Sequence, residues 1–243
     1  MSWHERYLQR FYDRSRGWQD GTQEFHHLCS RVIPSAGRIL EIGSGPSNAT
    51  SRFLAGLGEL HGLDPDPDVR NNSALASASL LENDRFPYTD GSFDACASNY
   101  VIEHIADPLQ HLTEVRRVLR PGGVYVFRIP NRFHYVTMVS ALTPHRAHLL
   151  LANRLRGLSQ ESHDPYPTLY RMNSGRAVRR FAKRAGLTVE HLVLIEKEPT
   201  YGAASRSLFL AFTGYERVVN STDLLQNLRS TILAVLRKPG PLT

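Results

Sequence analysis

Between residues 38 and 129 the sequence alternates short apolar runs with amphipathic segments, and this alternation constrains the fold more than any other feature. Short apolar runs that stop at glycine, proline or aspartate are typical of buried strands. The segments predicted in this way are strands at 38–42, 59–63, 92–98 and 124–129, a short strand or the approach to one at 75–81, and helices at 50–57 and 108–119. Strands and helices that alternate at these lengths indicate an α/β fold with a doubly wound, mostly parallel sheet.

Both ends of the chain extend this pattern. Residues 3–16 and 22–33 predict two N-terminal helices. Residues 131–172 contain many histidines, tyrosines and arginines, interrupt the alternation, and predict an inserted cap after strand five. Beyond the cap the predicted elements are a helix at 174–185, a strand at 187–196, a helix at 203–219 and a strand at 231–237. These elements bring the predicted sheet to seven strands.

Charge is distributed unevenly along the 243 residues. Residues 1–130 carry 13 arginines and 16 acidic residues, a net charge of −3, whereas residues 131–243 carry 16 basic and 7 acidic residues, a net charge of +9. This division predicts different tasks for the two parts of the chain. A basic protein can bind nucleic acid, but charge alone is weak support for that partner.

The N-terminus and the cysteines exclude several classes of protein. The charged N-terminus lacks the apolar segment of a secretory signal, and no run approaches the roughly 20 apolar residues of a membrane-spanning helix. Cys29 and Cys96 are the two cysteines, and they form no CxxC pair, which disfavours a disulfide framework or a zinc cluster. We expect a cytoplasmic protein without a bound metal.

The strongest local signal is LEIGSGPS at residues 40–47, where the first predicted strand meets the following helix. Gly43 and Gly45 allow the backbone to approach a ligand where a side chain would clash. A dinucleotide-binding loop would have a third glycine at the position of Asn48. Glu41 places a carboxylate at the end of a buried strand, which is costly unless a ligand amine, an arginine or a helix end satisfies it.

A second carboxylate, Asp64, ends the second predicted strand, 21 residues after Gly43. A carboxylate at that position can accept hydrogen bonds from both hydroxyls of a ribose. The alternative is a turn residue within the sequence Asp-Pro-Asp-Pro. Because the glycines stand in register before it, the ribose-binding interpretation is favoured.

Five segments in register resemble the class I S-adenosylmethionine-dependent methyltransferases. The resemblance is greatest to the small-molecule branch that includes ubiquinone-biosynthesis-like enzymes and their type 11 methyltransferase domain. The segments are LEIGSGPS, GLDPDPD, LENDRFPYTDGSFDA, SNYVIEHIADP and VLRPGGVYVFRIPN. The resemblance covers residues 36–130 well and the whole length loosely. It implies a Rossmann-like methyltransferase fold, S-adenosyl-L-methionine as cofactor and S-adenosyl-L-homocysteine as product.

The resemblance also implies a division of labour along the chain. Residues 1–35 would form N-terminal helices that cover the cofactor, and residues 36–130 would form the cofactor-binding core. Residues 131–243 would supply a substrate cap, at 131–172, and the helices and strands that complete the sheet.

Cofactor-binding roles follow from the matched motifs. The resemblance implies that Gly43, Ser44 and Gly45 line the methionine moiety and that Glu41 holds its ammonium group, directly or through water. It implies that Asp64 binds the ribose.

Further roles fall on the loops after the third and fourth strands. Glu82 stands where the family has an adenine-contacting aspartate, and Asn83 would offer its backbone N–H to the ring. Asn99 and Tyr100 would lie beside the sulfonium. Glu82 is one methylene longer than the usual aspartate, which makes its adenine contact the weaker assignment.

The N-terminal aromatic residues Tyr12 and Trp18 are candidates to close over the cofactor. Plain helix packing is the alternative for both of them. Ser47 replaces the third glycine of the family motif, a tolerable substitution.

Methyl transfer from a sulfonium needs an aligned nucleophile and the exclusion of water, and it needs no covalent residue. A general base matters only for a protonated, weakly acidic acceptor such as an alcohol. We therefore assign no catalytic residue and retain three candidates, His104, His134 and Tyr135. His134 and Tyr135 follow strand five, at the edge of the sheet where ligands bind, and are the first candidates for substrate contact.

The basic second half bears on the methyl acceptor. Arg132 and Arg171, with His163 and Tyr166, are further substrate-binding candidates in or beside the cap. If the arginines face the cleft, charge complementarity favours a small anionic or carrier-linked acceptor. A basic helix at 174–185 is either a solvated face or a contact with an acidic membrane surface or carrier.

The leading interpretation is methyl transfer to an O, N or C nucleophile of a small metabolite or a glycolipid or envelope-sugar precursor. Nucleic-acid methylation is an alternative, but SNYVIEH after strand four lacks the Asn/Asp-Pro-Pro-aromatic signature used on base amines, and no RNA-binding module is visible. A non-catalytic cofactor-binding protein is a second alternative. A dinucleotide oxidoreductase is disfavoured by Glu41 and by the missing third glycine. The sequence makes no prediction of oligomeric state.

Overall fold

The protein is described here from a computed structural model, which covers residues 2–142, 166–197, 199 and 205–240. Its centre is one seven-stranded sheet in the order β3-β2-β1-β4-β5-β7-β6. The strands are β1 (Arg38–Ile42), β2 (Glu59–Asp64), β3 (Ser77–Leu80), β4 (Phe93–Asn99), β5 (Leu119–Pro130), β6 (Thr188–Ile195) and β7 (Thr231–Arg237).

Parallel pairing dominates the sheet. β1 pairs in parallel with β2 and β4, β2 pairs with β3, and β4 pairs with β5. β7 is antiparallel to β5. Gly122, near the start of β5, donates its N–H to the carbonyl of Lys238, which follows the end of β7, at 2.9 Å. The predicted α/β fold with a mostly parallel, seven-stranded Rossmann-like sheet is confirmed.

Seven α-helices are described. They are α1 (Trp3–Phe11), α2 (Gly21–Val32), α3 (Ala49–Ala55), α4 (Pro108–Val118), α5 (Tyr135–Leu142), α6 (Gly175–Arg184) and α7 (Arg206–Asn220). Their starts follow local chemistry: Asn48, Asp107, Ser174 and Ser205 each accept a hydrogen bond from a backbone N–H of the first turn. Within the described ranges, no helix is both long and apolar enough to cross a membrane.

The chain divides into two compact units. The sheet unit contains Phe25–Ile129, Thr168–Val193 and Ile232–Thr243, and the helical unit contains Met1–Glu24, Pro130–Pro167 and Leu194–Thr231. In the sheet unit, the apolar residues of β1, β4, β5 and β7 are buried almost without exception. This pattern is expected for strands covered on both faces by helices.

Three predicted boundaries were wrong. The first helix ends at Phe11 rather than at residue 16, because the Asp13 carboxylate accepts hydrogen bonds from the N–H and hydroxyl of Ser15 and starts a separate 3₁₀ turn. β3 is four residues long, shorter than the predicted 75–81. β5 begins at Leu119 instead of Val124, because its Pro-Gly-Gly segment pairs with the residue that follows β7.

Arg117 on α4 holds the loop that leads into β4. Its guanidinium donates to the carbonyls of Phe86 and Tyr88 at 2.9 and 2.7 Å and to the carboxylates of Asp90 and Glu114 at 2.9 and 2.7 Å. Glu114 is 5% exposed and also accepts the N–H of Phe86 at 2.8 Å. Hydrogen bonding from Arg117 keeps the pKa of Glu114 below its usual value.

Replacing Arg117 with methionine should lower the free energy of unfolding by roughly 3–5 kcal/mol, because Glu114 would keep a buried charge without its cation. Urea denaturation measures this loss. The matched control Arg176→Met, on the exposed face of α6, should change stability by about 0.5 kcal/mol or less. The double variant Arg117→Met/Glu114→Gln should recover part of the loss. Equal losses in Arg117→Met and Arg176→Met would contradict this account.

Candidate functional site

The loop between β1 and α3 is shaped by two glycines in the left-handed region. Gly43 has φ +71°, and a Cβ placed on it would lie 2.3 Å from Cγ2 of Val101. Gly45 has φ +51°, and a Cβ there would meet nothing within 4 Å. Gly43 is therefore required by packing, whereas Gly45 is required by its backbone conformation and borders open space.

Two asparagines brace this loop from the side. Asn48 caps α3, since its Oδ1 accepts the N–H of Ser51 at 2.9 Å while its Nδ2 donates to the carbonyl of Ser44 at 2.8 Å. Asn72, which is 5% exposed, donates to the Ser51 hydroxyl at 2.9 Å and to the carbonyl of Gly45 at 3.2 Å. The loop carbonyls are thus occupied and the loop is held in one shape.

Asp64 ends β2 and ties two loops together. Its Oδ2 accepts the N–H of Gly45 at 2.9 Å and its Oδ1 accepts the N–H of Asp66 at 2.8 Å. The carboxylate therefore stabilises the turn that follows β2 and also holds the glycine loop. Because each carboxylate oxygen carries two lone pairs, one acceptor position on each oxygen remains for a ligand hydroxyl. The predicted ribose contact stays a prediction.

Glu41 lies in β1 with 3% of its surface exposed. In the described part of the chain its Oε2 has no hydrogen-bond partner and no arginine or lysine forms an ion pair with it. Burial raises the pKa of Glu41 to about 7, and although a hydrogen bond from Ser51 opposes the shift, the nearby charge of Asp64 adds to it. The arginine partner considered as an alternative is therefore not present among the described residues.

Two further polar atoms near the carboxyl ends of β1 and β4 lack partners among the residues described. They are the hydroxyl of Ser44, which is 1% exposed, and Oδ1 of Asn99. Buried polar atoms in folded proteins are almost always hydrogen-bonded, so these three atoms of the motif set can accept or donate a hydrogen bond to a ligand.

The backbone changes direction sharply where β4 ends. Tyr100 has φ +58°, an uncommon conformation for a residue with a side chain. Its ring is 39% exposed and lies 4.5 Å from the guanidinium carbon of Arg128. Asn99 Nδ2 donates to the hydroxyl of Thr50 at 3.2 Å, and that hydroxyl lies 3.4 Å from Nε2 of His26. Strained backbone of this kind concentrates at functional sites.

The other predicted cofactor residues of the sheet unit lie on loops. Glu82 and Asn83 follow β3 and are both exposed. His104, a candidate base, ends the 3₁₀ turn Ile102–His104 after β4 and is half-buried. Their assigned roles stay predictions.

In the helical unit, Tyr12 and Trp18 contact one another, with ring centroids 5.2 Å apart. Tyr12 is 4% exposed, and its hydroxyl lies 3.3 Å from the hydroxyl of Thr213 and 3.3 Å from the carboxylate of Glu216. Burial is the main reason that the pKa of Tyr12 is raised. These contacts agree with the helix-packing alternative, and closure over the cofactor stays a prediction.

His134 and Tyr135 stand at the start of α5, within the helical unit. His134 is 5% exposed, and its Nε2 lies 3.5 Å from Oε2 of Glu196, which also accepts the N–H of Ser230 at 2.6 Å. Burial lowers the pKa of His134 to about 4, so the imidazole is neutral at pH 7 and weakly basic. The Tyr135 ring stacks on Phe212 with centroids 5.2 Å apart. Substrate contact by either residue stays a prediction.

The remaining substrate candidates are spread over the described segments that flank residues 143–165. Arg132, Tyr166 and Arg171 are exposed. His163 lies outside the described residues, and so do Arg146, Arg154 and Arg156 of the predicted cap.

The sequence interpretation missed the residues that support the loop. Asn48 was noted only as a missing glycine, although asparagine directly before a helix is a strong N-cap signal. Asn72, Ser51 and Val101 carry no motif of their own, and their contacts appear only when distant segments are brought together.

Comparison with known proteins agrees with this geometry. A family model described as a methyltransferase domain matches residues 40–127, which span β1 to β5. An uncharacterized methyltransferase from Mycobacterium sp. strain JLS is 32% identical over 113 residues, which make up 45% of this chain and 42% of that relative. The chain thus matches less than half of the length of this curated relative.

Residues 40–127 are therefore similar to a methyltransferase domain. Solved structures share its fold. A Haloferax volcanii protein described as a methyltransferase candidate, in complex with the Trm112 methyltransferase activator, aligns over 97% of both chains with a TM-score of 0.58 and 19% identity. The [4+2]-cyclase SpnF aligns over 92% of this chain and 83% of its own, with a TM-score of 0.58 and 17% identity.

The residues present fit the cofactor that the methyltransferase domain implies. An unpartnered, buried carboxylate oxygen on Glu41 suits an ammonium group, and the unpartnered Ser44 hydroxyl suits an amino-acid carboxylate or ammonium. A Cβ on Gly45 would meet nothing within 4 Å, so the glycine loop borders open space.

Replacing Glu41 with glutamine should stabilise the ligand-free protein at pH 8. A carboxyl whose pKa rises from an ordinary 4.5 to about 7 on folding contributes stability below pH 4.5 and loses it as the pH rises to 7. Glutamine removes this loss, so Glu41→Gln should gain on the order of 2 kcal/mol at pH 8 relative to its effect at pH 5. Urea denaturation at both pH values measures the difference. A variant that is equally destabilised at both would contradict the account.

Proposed function

We propose that this protein transfers the methyl group of S-adenosylmethionine to a nucleophilic O, N or C atom of a small metabolite that carries an anionic group. The observation that carries the proposal is the unpartnered carboxylate oxygen of Glu41, buried beside the Gly43–Gly45 loop. A buried carboxylate with a purely structural role would be paired with a cationic side chain, whereas a carboxylate in a site for a cationic ligand has no such partner until the ligand binds.

Each part of the cofactor has a proposed set of partners in the sheet unit. Glu41 and Ser44 would hold the ammonium and carboxylate of the methionine moiety, and Asp64 would accept hydrogen bonds from the ribose hydroxyls. Glu82 and the backbone N–H of Asn83 would contact the adenine.

The reaction needs orientation more than it needs proton transfer. S-Adenosylmethionine, when bound, supplies a methyl group on a positively charged sulfur that a nucleophile displaces in line. Asn99 and Tyr100 would border the reacting centre, where the backbone of Tyr100 has a positive φ. An acceptor that is already anionic at its nucleophilic atom would need no base.

An anionic acceptor agrees with the charge of the second half of the chain. Residues 131–243 carry a net charge of +9, and both Arg132 and Arg171 expose their side chains. Arginine recognises carboxylates and phosphates through paired hydrogen bonds. The reaction is proposed to take place in the cytoplasm, since both cysteines are free and buried, as part of a biosynthetic pathway for a metabolite or an envelope-sugar precursor.

A fold of this kind does not fix the reaction, since one structural neighbour is named a cyclase. Non-catalytic cofactor binding is therefore the second candidate. Methyl transfer itself separates the two: tritiated S-adenosylmethionine should label an anionic fraction of a small-molecule extract in the presence of the protein. Label in nucleic acid instead would support the nucleic-acid alternative.

Cofactor binding should depend on Glu41. S-Adenosylhomocysteine should raise the melting temperature of the protein, NAD should not, and Glu41→Gln should weaken the first effect by roughly tenfold or more in affinity, as expected for a lost charge-assisted hydrogen bond. The exposed Asp223→Asn, which removes the same charge elsewhere, serves as the control. Stabilisation by NAD alone would refute the proposal.

A further inference from the structure

The N-terminal helix α1 presents aromatic and basic side chains, and the rings of Trp3 and Tyr7 pack edge-on against the buried Phe209 of α7. None of its residues is buried. Trp3, Tyr7 and Phe11 recur at every fourth position and contact one another, with ring centroids 5.8 Å apart for each successive pair. Arg6 and Arg10 lie one position before Tyr7 and Phe11, so they flank this aromatic stripe.

Two cavities in the helical unit are lined by these side chains. The larger has a volume of about 630 Å³ and is lined by Arg6, Arg10, Arg16, Phe11 and Trp18, together with Gln9 and Asp13. A volume in this range is typical of small-molecule sites.

The second cavity has a volume of about 270 Å³. It shares Arg6 and Arg10 with the larger one and adds Arg206, Trp3 and Tyr7 to the lining. The two cavities therefore meet at a pair of arginines.

Most of the positive charge around these cavities is not neutralised by carboxylates of the described residues. Four arginines and one aspartate line them, a net charge of +3. The Asp13 carboxylate already has partners, because its Oδ1 accepts the N–H of Ser15 at 2.9 Å and its Oδ2 lies 3.4 Å from Nε of Arg16. Arg6, Arg10 and Arg206 form no ion pair with a carboxylate of the described residues. Neighbouring positive charges repel one another, and an anionic ligand bound between them would offset this repulsion.

We propose that these cavities bind a ligand that carries a phosphate group, with an aromatic or apolar portion against Trp18 and Phe11. The planar guanidinium fork matches two oxygens of a phosphate at once, and a phosphate monoester brings about two negative charges to three arginines that form no ion pair among the described residues. A flat ring or an acyl chain suits the aromatic walls. The proposal does not depend on methyl transfer.

The chain itself supplies the reporter for a test. It contains two tryptophans, Trp3 and Trp18, and each lines one of the cavities. Tryptophan fluorescence of the full chain should change saturably on titration with sodium pyrophosphate at constant ionic strength, or with vesicles of phosphatidic acid in phosphatidylcholine. The first response would identify a soluble phosphate compound as the ligand, and a response to phosphatidic acid alone would identify a lipid headgroup.

Matched variants separate a site from general charge attraction. Arg6→Gln/Arg10→Gln should weaken binding by roughly tenfold or more, since two charge-assisted contacts are lost. Arg176→Gln/Arg179→Gln removes the same charge from the exposed face of α6 and should leave binding unchanged. Circular dichroism verifies that both variants fold, and Arg6→Lys/Arg10→Lys, which keeps the charge but not the fork, should bind at an intermediate level.

The proposal is overturned if neither probe produces a saturable change, if vesicles of phosphatidylcholine alone produce the same change, or if the α6 variant weakens binding as much as the α1 variant.

Discussion

A carboxyl group that lacks a full set of partners among the described residues lies in β1, an interior strand of the sheet, and the loop that follows this strand is built around it. Glu41 is 3% exposed, and its Oε2 accepts no hydrogen bond from the described residues. The cost of burying it is visible as a pKa near 7. Ser51 satisfies part of the carboxylate, and Asn48 and Asn72 hold Ser51 in place. The loop is therefore preorganised around a carboxyl group whose Oε2 has no partner among the described residues.

Much of the sheet unit could be predicted because local and global signals agree there. Apolar runs of strand length and capped helices alternate from Arg38 onward, and a buried parallel sheet is the arrangement that satisfies both. The positions of Glu41, Gly43 and Asp64 followed from the same pattern, since each stands at the end of a strand or in the loop directly after it. These residues share one edge of the sheet because the strands are parallel.

The rest could not be read from the sequence, for different physical reasons. Asp64 was predicted as a ligand residue, yet it also accepts the N–H of Gly45, a contact that needs two loops brought together from distant parts of the chain. The break after Phe11 depends on one side chain, Asp13, competing with the helix for backbone N–H groups. The burial of His134 among Tyr135, Tyr215 and Glu196, which keeps its imidazole neutral, also depends on segments that are distant in the sequence.

Proton linkage tests the central claim, that Glu41 must ionise to hold a cationic ligand. Calorimetric titration of S-adenosylhomocysteine at pH 6, in buffers of different ionisation enthalpy, reports the protons released on binding. The account predicts the release of close to one proton at pH 6, a release that falls towards zero by pH 8, and no release from Glu41→Gln at either pH. Binding to the wild-type protein without proton release at pH 6, or an equal release from Glu41→Gln, would contradict it.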